Sequence, residues 1–523
     1  MKQQHSAPPE RFNFAQCLFA RNAARPAKLA YIDDTTELSY GALERRARAC
    51  AAGLLALGLH PEERVLLVMQ DSVDLPVAFL GALLAGVVPV PVNTLLPPAE
   101  HAYMLADSGA RVVIASSALV PGMLEAMAIA GLNLPLVVAG SADNVPAAAI
   151  HFARLLDHPP LATAADTAAD QFAFWLYSSG STGRPKGTVH SHANLYWSAE
   201  LYSCGVLGMR EDDIVFSVAK LFFAYGLGNA LTFPLYAGAT TILMAERPTA
   251  KAVCERLRGR ASGQQPSVFC GVPTLYVDLL ASDCLPARAD CRLRICTSAG
   301  EALPRNIGER FRDHFGCDIL DGLGSTEMLH IFLSNQPGDV RYGASGKPVP
   351  GYEVELRGED GAKTAPGEIG DLFIRGPSSA LMYWNNRAKS QATFQGDWTR
   401  SGDKYVVDTD GYYTYAGRGD DMLKVSGQYV SPIEVEAVLM THAAVRECAV
   451  VGMPDAEGLT RTLAYVVASA GRQGDAALAQ ELQAWVKTRL APHKYPREVI
   501  FLVELPKTAT GKIQRFRLRS APR

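Results

Sequence analysis

The stretch FAFWLYSSGSTGRPKG, from Phe172 to Gly187, decides how the rest of the chain is interpreted. Its first eight residues are apolar or favour β structure, and they predict a buried strand. Three glycines and a proline follow between Ser179 and Thr188, and they predict a loop without regular structure. Glycines let backbone N–H groups approach phosphate oxygens, hydroxyls add donors, and lysine adds a point charge. A strand that runs into such a loop therefore predicts a phosphate site.

A Walker phosphate loop is excluded by the spacing. The Walker pattern requires a second glycine directly before its lysine, and Ser or Thr directly after it. Counted from Gly180, Pro185 stands at the second glycine position, and Gly187 follows Lys186. The chain is therefore not expected to be a P-loop NTPase.

The composition is that of a large globular protein. A chain of 523 residues is too long for one hydrophobic core and predicts two or more domains. A hydrophobic content of 48% and a charged content of 20% fit a soluble protein. The net charge of −3 disfavours nucleic acid as a partner, because proteins that follow a phosphate backbone usually carry a basic excess.

Cysteine usage and the apolar segments indicate a cytoplasmic protein without a membrane partner. The ten cysteines form no C-x-x-C pair and no cluster at metal-ligand spacing, which is typical of reduced thiols. The first residues, MKQQHSAPPERFN, lack the apolar core of a signal peptide. The uncharged stretch Leu75–Leu96 is interrupted by glycines and prolines, so it predicts a helix and then a short strand instead of a membrane span.

Helix and strand patterns alternate along most of the chain and predict an α/β fold. Residues 38–58, 75–86 and 98–108 have helical spacing, and short apolar strands at 64–69, 87–92 and 112–116 lie between or after them. Such alternation predicts βαβ units and a parallel sheet. Residues 118–170 are interpreted as peripheral connections. After the central loop we expect a helix at 190–202, further strands at 240–244, 267–273 and 294–300, and a helix at 304–315 that Gly316 ends.

The pattern changes near Gly343. Short, alternating, glycine-bounded segments predict a smaller antiparallel or barrel-like β unit over about residues 343–418. The charged segment from Arg418 to Lys424 suits a linker, and residues 419–523 read as an α+β domain of ordinary size. We therefore predict a large N-terminal domain, 1–418, with parallel α/β subdomains and the small β unit, followed by a C-terminal domain, 419–523.

The stretch Tyr177–Gly187 resembles the phosphate-loop signature of the acyl-adenylate-forming enzymes, which include acyl- and aryl-CoA ligases, peptide-synthetase adenylation domains and luciferases. Five later stretches resemble the family's other motifs in the family's order: SAGEALP (298–304), DGLGSTE (321–327), SGD (401–403), GRGDD (417–421) and PKTATGK (506–512). Together they span most of the chain. The resemblance implies the substrates ATP and coenzyme A, with Mg²⁺.

The resemblance also implies which residues bind ATP. Asp403 would hold the ribose hydroxyls, Arg418 would donate to ribose or phosphate, and Thr326 would donate to the α-phosphate. Glu327 is implied as the Mg²⁺ ligand, as suits a hard oxygen donor. The remaining nucleotide-binding positions are those of the phosphate loop and the adenine pocket: Ser178, Ser179, Gly180, Ser181, Thr182, Gly183, Lys186, Gly300, Glu301, Ala302, Asp321 and Gly322.

Joining a carboxylate to the α-phosphate brings two anions together, so catalysis depends on positioning and on cationic stabilisation. The resemblance implies Lys512 as the cation of the adenylation step. It also implies a mobile C-terminal domain that turns about Asp420 between two half-reactions. Lys424 and Gly427 would then serve the thioester-forming conformation.

Two stretches, Ala219–Asn229 and Ser325–Asn335, look like the benzoate-CoA ligase branch of the family. The implied aryl pocket consists of Phe223, Ala224, Tyr225, Ala299, Gly300, His330 and Ile331. A flat ring packs well between aromatic faces. His330 either hydrogen-bonds a ring substituent or packs against the ring. Hydroxy-, amino- and fluorobenzoates and heteroaromatic acids of similar size all remain open as substrates.

The leading hypothesis is therefore an enzyme that ligates an aryl carboxylic acid, benzoate first, to CoA through an acyl-AMP, with release of AMP and pyrophosphate. Two alternatives remain open: transfer of the aryl group to a carrier-protein thiol, and a catalytically silent ligand-binding relative. Whether the protein is a monomer or a homodimer is also open.

Overall fold

The computed structural model describes residues 6–141, 146–178, 184–260, 262–419, 422–425, 428–454, 460–491, 494–507 and 513–519. The chain divides into two compact units, residues 1–353 with 374–399, and residues 354–373 with 400–523. The domain boundary near residue 418 stays a prediction.

A five-stranded parallel sheet forms the first layer of the first unit and confirms the predicted βαβ pattern. Its strands, in spatial order, are Val88–Pro91, Arg64–Val68, Val112–Ser116, Leu136–Ala139 and Ile150–His151. The predicted helices are observed at Tyr40–Ala56, Asp74–Leu84 and Pro98–Ser108. Ser39 caps the first of them, because its side chain accepts a hydrogen bond from the N–H of Ala42.

The interpretation of residues 118–170 as peripheral connections is wrong. They contain the helix Val120–Ala130 and the strand Leu136–Ala139, the fourth strand of this sheet. Val120, Met123 and Val138 are buried in the core around the sheet, so this segment closes that core. The helix also leaves the apolar side chains of Leu124 and Ile129 exposed. Apolar residues therefore do not repeat with a clear helical period in this segment, and the sequence pattern does not indicate the helix.

A nine-stranded sheet is the larger framework of the first unit. In spatial order its strands are Lys347–Pro348, Ile331–Ser334, Ile319–Gly324, Ile295–Ser298, Val268–Gly271, Ile214–Ser217, Thr240–Ile242, Leu29–Ile32 and Glu37–Ser39. The six strands from Ile319–Gly324 to Leu29–Ile32 run parallel, and the outer pairs are antiparallel. The helix Arg305–Phe315 ends at Gly316, which is left-handed (φ +64°) as predicted. Parallel strands direct their carboxyl ends to one edge, so the turns after them lie together.

The remaining helices of the first unit surround these sheets. They are Phe14–Asn22, Phe152–Leu156, His192–Ser198, Ala224–Leu227, Phe233–Ala237, Ala250–Leu257, Pro273–Leu280 and Arg387–Thr393. Short 3₁₀ segments lie at Ser117–Leu119 and Arg288–Asp290, and π-helical turns at Ala199–Cys204 and Gly228–Thr232.

The strand that precedes the phosphate loop is present as predicted, but the loop after it is shorter than predicted. Phe172–Ser178 forms an antiparallel hairpin with Lys186–Ser191, and Met382–Tyr383 adds a third strand. Lys186 and Gly187 were expected in the loop, and they instead begin the returning strand. The tertiary partner overrides local preference here, because the carbonyl of Gly187 accepts a 2.7 Å hydrogen bond from the N–H of Trp384.

The predicted β unit is present as a five-stranded sheet. Its strands are Glu353–Arg357, Ile369–Arg375, Trp398–Val407, Phe394–Gln395 and Tyr413–Arg418, the last of which pairs antiparallel with Trp398–Val407.

The C-terminal segment is α+β, as predicted. A three-stranded sheet consists of Val445–Pro454, Thr460–Ala468 and Glu498–Phe501, and a hairpin of Leu423–Val425 and Gln428–Val430 precedes it. The helices are Pro432–Leu439, Ala476–Lys487 and Arg515–Arg519. Among the described residues, no helix is long and apolar enough to cross a lipid bilayer.

Candidate active site

Glu327 stands at the centre of the polar part of the candidate site. It lies on the turn after the strand Ile319–Gly324, and its backbone carbonyl accepts a 2.7 Å hydrogen bond from the N–H of Ala380. Its Oε1 accepts a 2.7 Å hydrogen bond from the hydroxyl of Tyr383 and a 3.5 Å contact from the hydroxyl of Ser178. The structure therefore brings the DGLGSTE turn directly beside the end of the strand that precedes the phosphate loop.

Lys186 also contacts this cluster, through the ring of Tyr383. Its Nζ is 4.3 Å from the centre of the Tyr383 ring, which is within range of a cation–π interaction. Tyr383 thus contacts two predicted site residues at once, Glu327 through its hydroxyl and Lys186 through its ring. No local pattern in the sequence indicates this role, since Tyr383 is separated from both residues along the chain.

His190 fixes the position of Thr326 relative to the hairpin. Its Nε2 lies 2.8 Å from the carbonyl oxygen of Thr326, and its ring stacks on Phe174 with centres 5.1 Å apart. Burial lowers the pKa of His190 to about 4, so the ring is neutral at pH 7 and Nε2 carries the proton that it donates. His190 is a second positioning residue that the sequence motifs did not single out.

The aryl part of the candidate site is built around His330. Its ring packs against Tyr225 at 5.5 Å, Tyr202 at 5.4 Å and Phe233 at 4.5 Å between ring centres. Its Nε2 lies 3.2 Å from the carbonyl oxygen of Tyr225. A Cβ on Gly228 would stand 2.2 Å from Cδ2 of His330, so the glycine makes room for the ring.

His330 is 3% exposed, and burial lowers its pKa to about 3. It is therefore neutral at pH 7, with the Nε2 proton directed to the carbonyl of Tyr225. Its Nδ1 is buried and has no hydrogen-bond partner among the described residues. The ring thus packs among aromatic side chains, and its Nδ1 has unused acceptor capacity.

The other predicted aryl residues differ in their exposure. Phe223, Ala224 and Tyr225 are partly exposed, whereas Ala299 is 4% and Ile331 is 2% exposed. The hydroxyl of Tyr225 is 2.6 Å from Oγ1 of Thr297, which ties it to the strand Ile295–Ser298. The predicted aryl residues are thus largely apolar, and they range from partly exposed to buried.

The predicted adenine segment lies directly after the strand Ile295–Ser298. Gly300 is in the left-handed region (φ +96°), and a Cβ there would meet no described atom within 4 Å. Glu301 and Ala302 are exposed. Open space above an exposed turn of this kind admits a ligand.

Asp321 is buried on the strand Ile319–Gly324, beside Gly322. It is 3% exposed, and burial raises its pKa to about 8. Its Oδ2 accepts a 3.5 Å hydrogen bond from the N–H of Leu303, so it also holds the end of the adenine segment. A Cβ on Gly322 would stand 2.9 Å from the carbonyl oxygen of Leu333, which explains the glycine next to it.

Asp403 and Arg418 are paired within the second unit. They are register partners on two antiparallel strands, and Nη1 of Arg418 is 3.4 Å from Oδ1 of Asp403. The Asp403 side chain is 14% exposed and that of Arg418 is 45% exposed. This arrangement suits recognition of a vicinal diol by the carboxylate with the guanidinium beside it.

Several predicted residues lie outside the described part of the chain. They are Ser179, Gly180, Ser181, Thr182 and Gly183 of the phosphate loop, the hinge residue Asp420, Gly427, and Lys512. Lys424 lies on the described strand Leu423–Val425. The roles of all these residues stay predictions.

Comparison with known proteins covers nearly the whole chain. Residues 18–384 match the family model of the AMP-binding enzymes, and residues 434–512 match that of the AMP-binding enzyme C-terminal domain. The chain is 55% identical to the benzoate–CoA ligase of Thauera aromatica, over 98% of this chain and 97% of that protein. It is 46% identical to the 4-hydroxybenzoate–CoA/benzoate–CoA ligase of Rhodopseudomonas palustris (strain ATCC BAA-98 / CGA009), over 98% of this chain and 94% of that protein.

Among solved structures, a benzoate CoA ligase from Burkholderia xenovorans LB400 is 61% identical in sequence. It superposes with a TM-score of 0.90 over 97% of this chain and 100% of that one. The fold therefore agrees with that of this benzoate CoA ligase over nearly the whole chain.

Proposed function

Because the chain belongs to the AMP-binding enzyme family, we propose that it ligates benzoate to coenzyme A, using ATP and releasing AMP and pyrophosphate. ATP and CoA are substrates of the ligases in this family. The observation that carries the proposal is the near-complete match to benzoate–CoA ligases, at 55% and 61% identity. The aromatic rings packed around His330 also support it.

The first half-reaction forms benzoyl-AMP. A benzoate oxygen attacks the α-phosphorus, the bond to the β-phosphate oxygen breaks, and pyrophosphate leaves with its electron pair. Both reactants are anions, so the chain must supply positive charge and donors. We assign these roles to Lys512, to Lys186 at the departing pyrophosphate, and to the hydroxyl of Thr326 at the α-phosphate.

The nucleotide is held by groups whose chemistry matches its parts. The phosphate loop, residues 178–183, supplies backbone and hydroxyl donors. Gly300, Glu301 and Ala302, with Asp321 and Gly322, are assigned to the adenine. Asp403 and Arg418, already paired at 3.4 Å, are assigned to the ribose.

Glu327 fits a Mg²⁺ ion bound together with ATP. Magnesium is commonly bound through one or two carboxylates plus substrate phosphates, so a cluster of protein ligands is not required. Among the described residues, no group of three or more acidic, His or Cys side chains is arranged to hold a metal. Oε1 of Glu327 is oriented by Tyr383, and no described residue donates a hydrogen bond to Oε2. When bound, the ion would neutralise phosphate charge.

The second half-reaction transfers the benzoyl group to the CoA thiol. The thiolate attacks the carbonyl carbon of benzoyl-AMP, and AMP leaves with the bonding electron pair. We assign Lys424 and Gly427 to this step, and a rotation of residues 419–523 about Asp420 to the change between the two steps. These assignments rest on the motif positions.

The aryl surface favours a small flat acid. We assign to the ring of the acid the side chains of Phe223, Ala224, Tyr225, Ala299, Ile331 and His330. A hydrophobic pocket rejects one additional ring atom by only about 1–3 kcal/mol, so modest tolerance of substituted benzoates is expected.

The ten free cysteines agree with a cytoplasmic protein.

A panel of small carboxylic acids in a pyrophosphate-release assay tests the proposal. Benzoate-dependent pyrophosphate release, followed by loss of free thiol when CoA is added, is the expected result. Release without consumption of CoA would instead support transfer to a carrier-protein thiol. Neither signal with any acid would support a silent ligand-binding relative.

A further inference from the structure

Asp71 is a buried acid that the assigned chemistry does not use. It follows the strand Arg64–Val68 of the five-stranded sheet, and it is 4% exposed. Both of its carboxylate oxygens face the backbone N–H of Leu221, at 3.2 Å and 3.4 Å. Leu221 follows the strand Ile214–Ser217 of the nine-stranded sheet, so this contact joins the carboxyl ends of strands from two different sheets.

Leu221 leads directly into the aryl segment. The side chain of Leu221 is fully buried, and the next residues are Phe222, Phe223, Ala224 and Tyr225. The N–H of Phe223 donates a 3.0 Å hydrogen bond to the carbonyl of Lys220. A Cβ on Gly226 would lie 2.0 Å from that same carbonyl oxygen, so residues 220–226 form a tight turn.

Both ends of this turn form hydrogen bonds with residues outside it. Nζ of Lys220 donates to the carbonyls of Glu246 at 2.8 Å and Ala245 at 3.4 Å, and also to that of Met244. At the far end, the hydroxyl of Tyr225 reaches Thr297 at 2.6 Å. Between these ends, Asp71 accepts the hydrogen bond from the N–H of Leu221, the residue that precedes the aromatic side chains.

We propose that Asp71 is a positioning residue for the aryl pocket: by holding the N–H of Leu221 it sets where Phe223, Ala224 and Tyr225 stand. The role rests on the proposed function, because those three residues are assigned to the ring of the substrate. Burial raises the pKa of Asp71 to about 6, so its carboxylate is largely ionised at pH 8 and acts as a hydrogen-bond acceptor.

The test compares Asp71→Ala and Asp71→Asn with a control, Asp33→Ala. Asp33 accepts the N–H of Val73 at 2.9 Å, so its loss disturbs the segment that carries Asp71 without removing the bond to Leu221. The KM values for benzoate and for ATP are measured by pyrophosphate release at pH 8. Asp71→Ala is expected to raise the benzoate KM by about tenfold or more and to leave the ATP KM within about twofold.

Asp71→Asn retains an acceptor oxygen and is expected to restore most of the benzoate affinity, while Asp33→Ala leaves it unchanged. Equal increases in both KM values, or an Asp33→Ala variant that matches Asp71→Ala, would overturn the proposal. If Asp71→Ala does not fold, Asp71→Ser replaces it, because the shorter hydroxyl is expected to lose the bond to Leu221. An unchanged benzoate KM in Asp71→Ser would then reject the role.

The wild-type enzyme separates this proposal from the proposed function. Absence of benzoate-dependent pyrophosphate release from the wild type contradicts the function itself. Wild-type release with an unchanged benzoate KM in Asp71→Ala contradicts only the role of Asp71.

Discussion

The hydroxyl of Tyr383 donates a 2.7 Å hydrogen bond to Oε1 of Glu327, and the ring of the same tyrosine lies 4.3 Å from Nζ of Lys186. One side chain therefore orients the carboxylate assigned to Mg²⁺ and stabilises the lysine assigned to pyrophosphate. The two contacts use different parts of the tyrosine, so they can be removed separately.

Tyr383→Phe should lower the affinity for Mg²⁺. The variant loses the hydrogen bond to Glu327 but keeps the ring beside Lys186. Loss of a group that orients a metal ligand typically lowers metal affinity by about 10–100-fold, so the half-saturating Mg²⁺ concentration should rise by about tenfold. Titration of Mg²⁺ in the pyrophosphate-release assay measures this, and an unchanged titration curve would argue against the role of the hydroxyl.

Tyr383→Leu is the matched comparison. It removes the ring as well as the hydroxyl, so it should add a loss in maximal rate that Tyr383→Phe lacks. Thioester formation from supplied benzoyl-AMP should remain near the wild-type rate in both variants.

Gly228→Ala should damage the aryl pocket without affecting the nucleotide site. The added Cβ would stand 2.2 Å from Cδ2 of His330, and the three aromatic rings around His330 limit its retreat. Overpacking of a tight site typically costs about 1–3 kcal/mol. We expect the benzoate KM to rise by about tenfold, with the ATP KM unchanged, as measured by initial rates.

Gly122→Ala serves as the control for that substitution. Gly122 lies in the helix Val120–Ala130, where the one described side chain within 4 Å of an added Cβ is that of Pro98, at 4.0 Å. A benzoate KM that responds equally to both substitutions would contradict the packing argument.

The buried histidine His192 should make stability depend on pH. It is 1% exposed, its Nδ1 accepts the N–H of Phe14 at 3.3 Å, and burial lowers its pKa to about 3. Below pH 6.5 the unfolded chain binds a proton that the folded chain does not, so stability is lost as the pH falls toward the folded pKa. The loss is about 1.4 kcal/mol per pH unit for this group.

His192→Gln tests this contribution. The variant should be less stable than the wild type at pH 7.5, and the difference should shrink by about 1.4 kcal/mol at pH 5.5. Denaturant unfolding at the two pH values measures it. A difference that is the same at both pH values would show that His192 does not carry the effect.

Local sequence patterns predicted much of this structure, whereas contacts between residues that are far apart in the chain were not predicted. The helix Pro98–Ser108 and the stop at Gly316 follow from periodicity and backbone preference within a few residues. Glu327 was selected because DGLGSTE resembles a family motif, and its role stays a prediction. Tyr383 stands 56 residues from Glu327, and His190 stands 136 residues from Thr326. Such contacts depend on how sheets pair, which no local pattern contains.

Two errors in the predicted secondary structure have different causes, and the first is again a contact between distant segments. Lys186 and Gly187 look like loop residues, but the neighbouring strand Met382–Tyr383 and Trp384 draw them into a sheet. The helix Val120–Ala130 was missed because its apolar residues lie on more than one face.

The most direct measurement of the central claim separates the two half-reactions in Lys512→Ala. Benzoyl-AMP formation from benzoate and ATP, and benzoyl-CoA formation from supplied benzoyl-AMP and CoA, are assayed on the same preparation. We expect that the first reaction is nearly abolished and that the second continues near the wild-type rate. Benzoyl-AMP formation at the wild-type rate would contradict it.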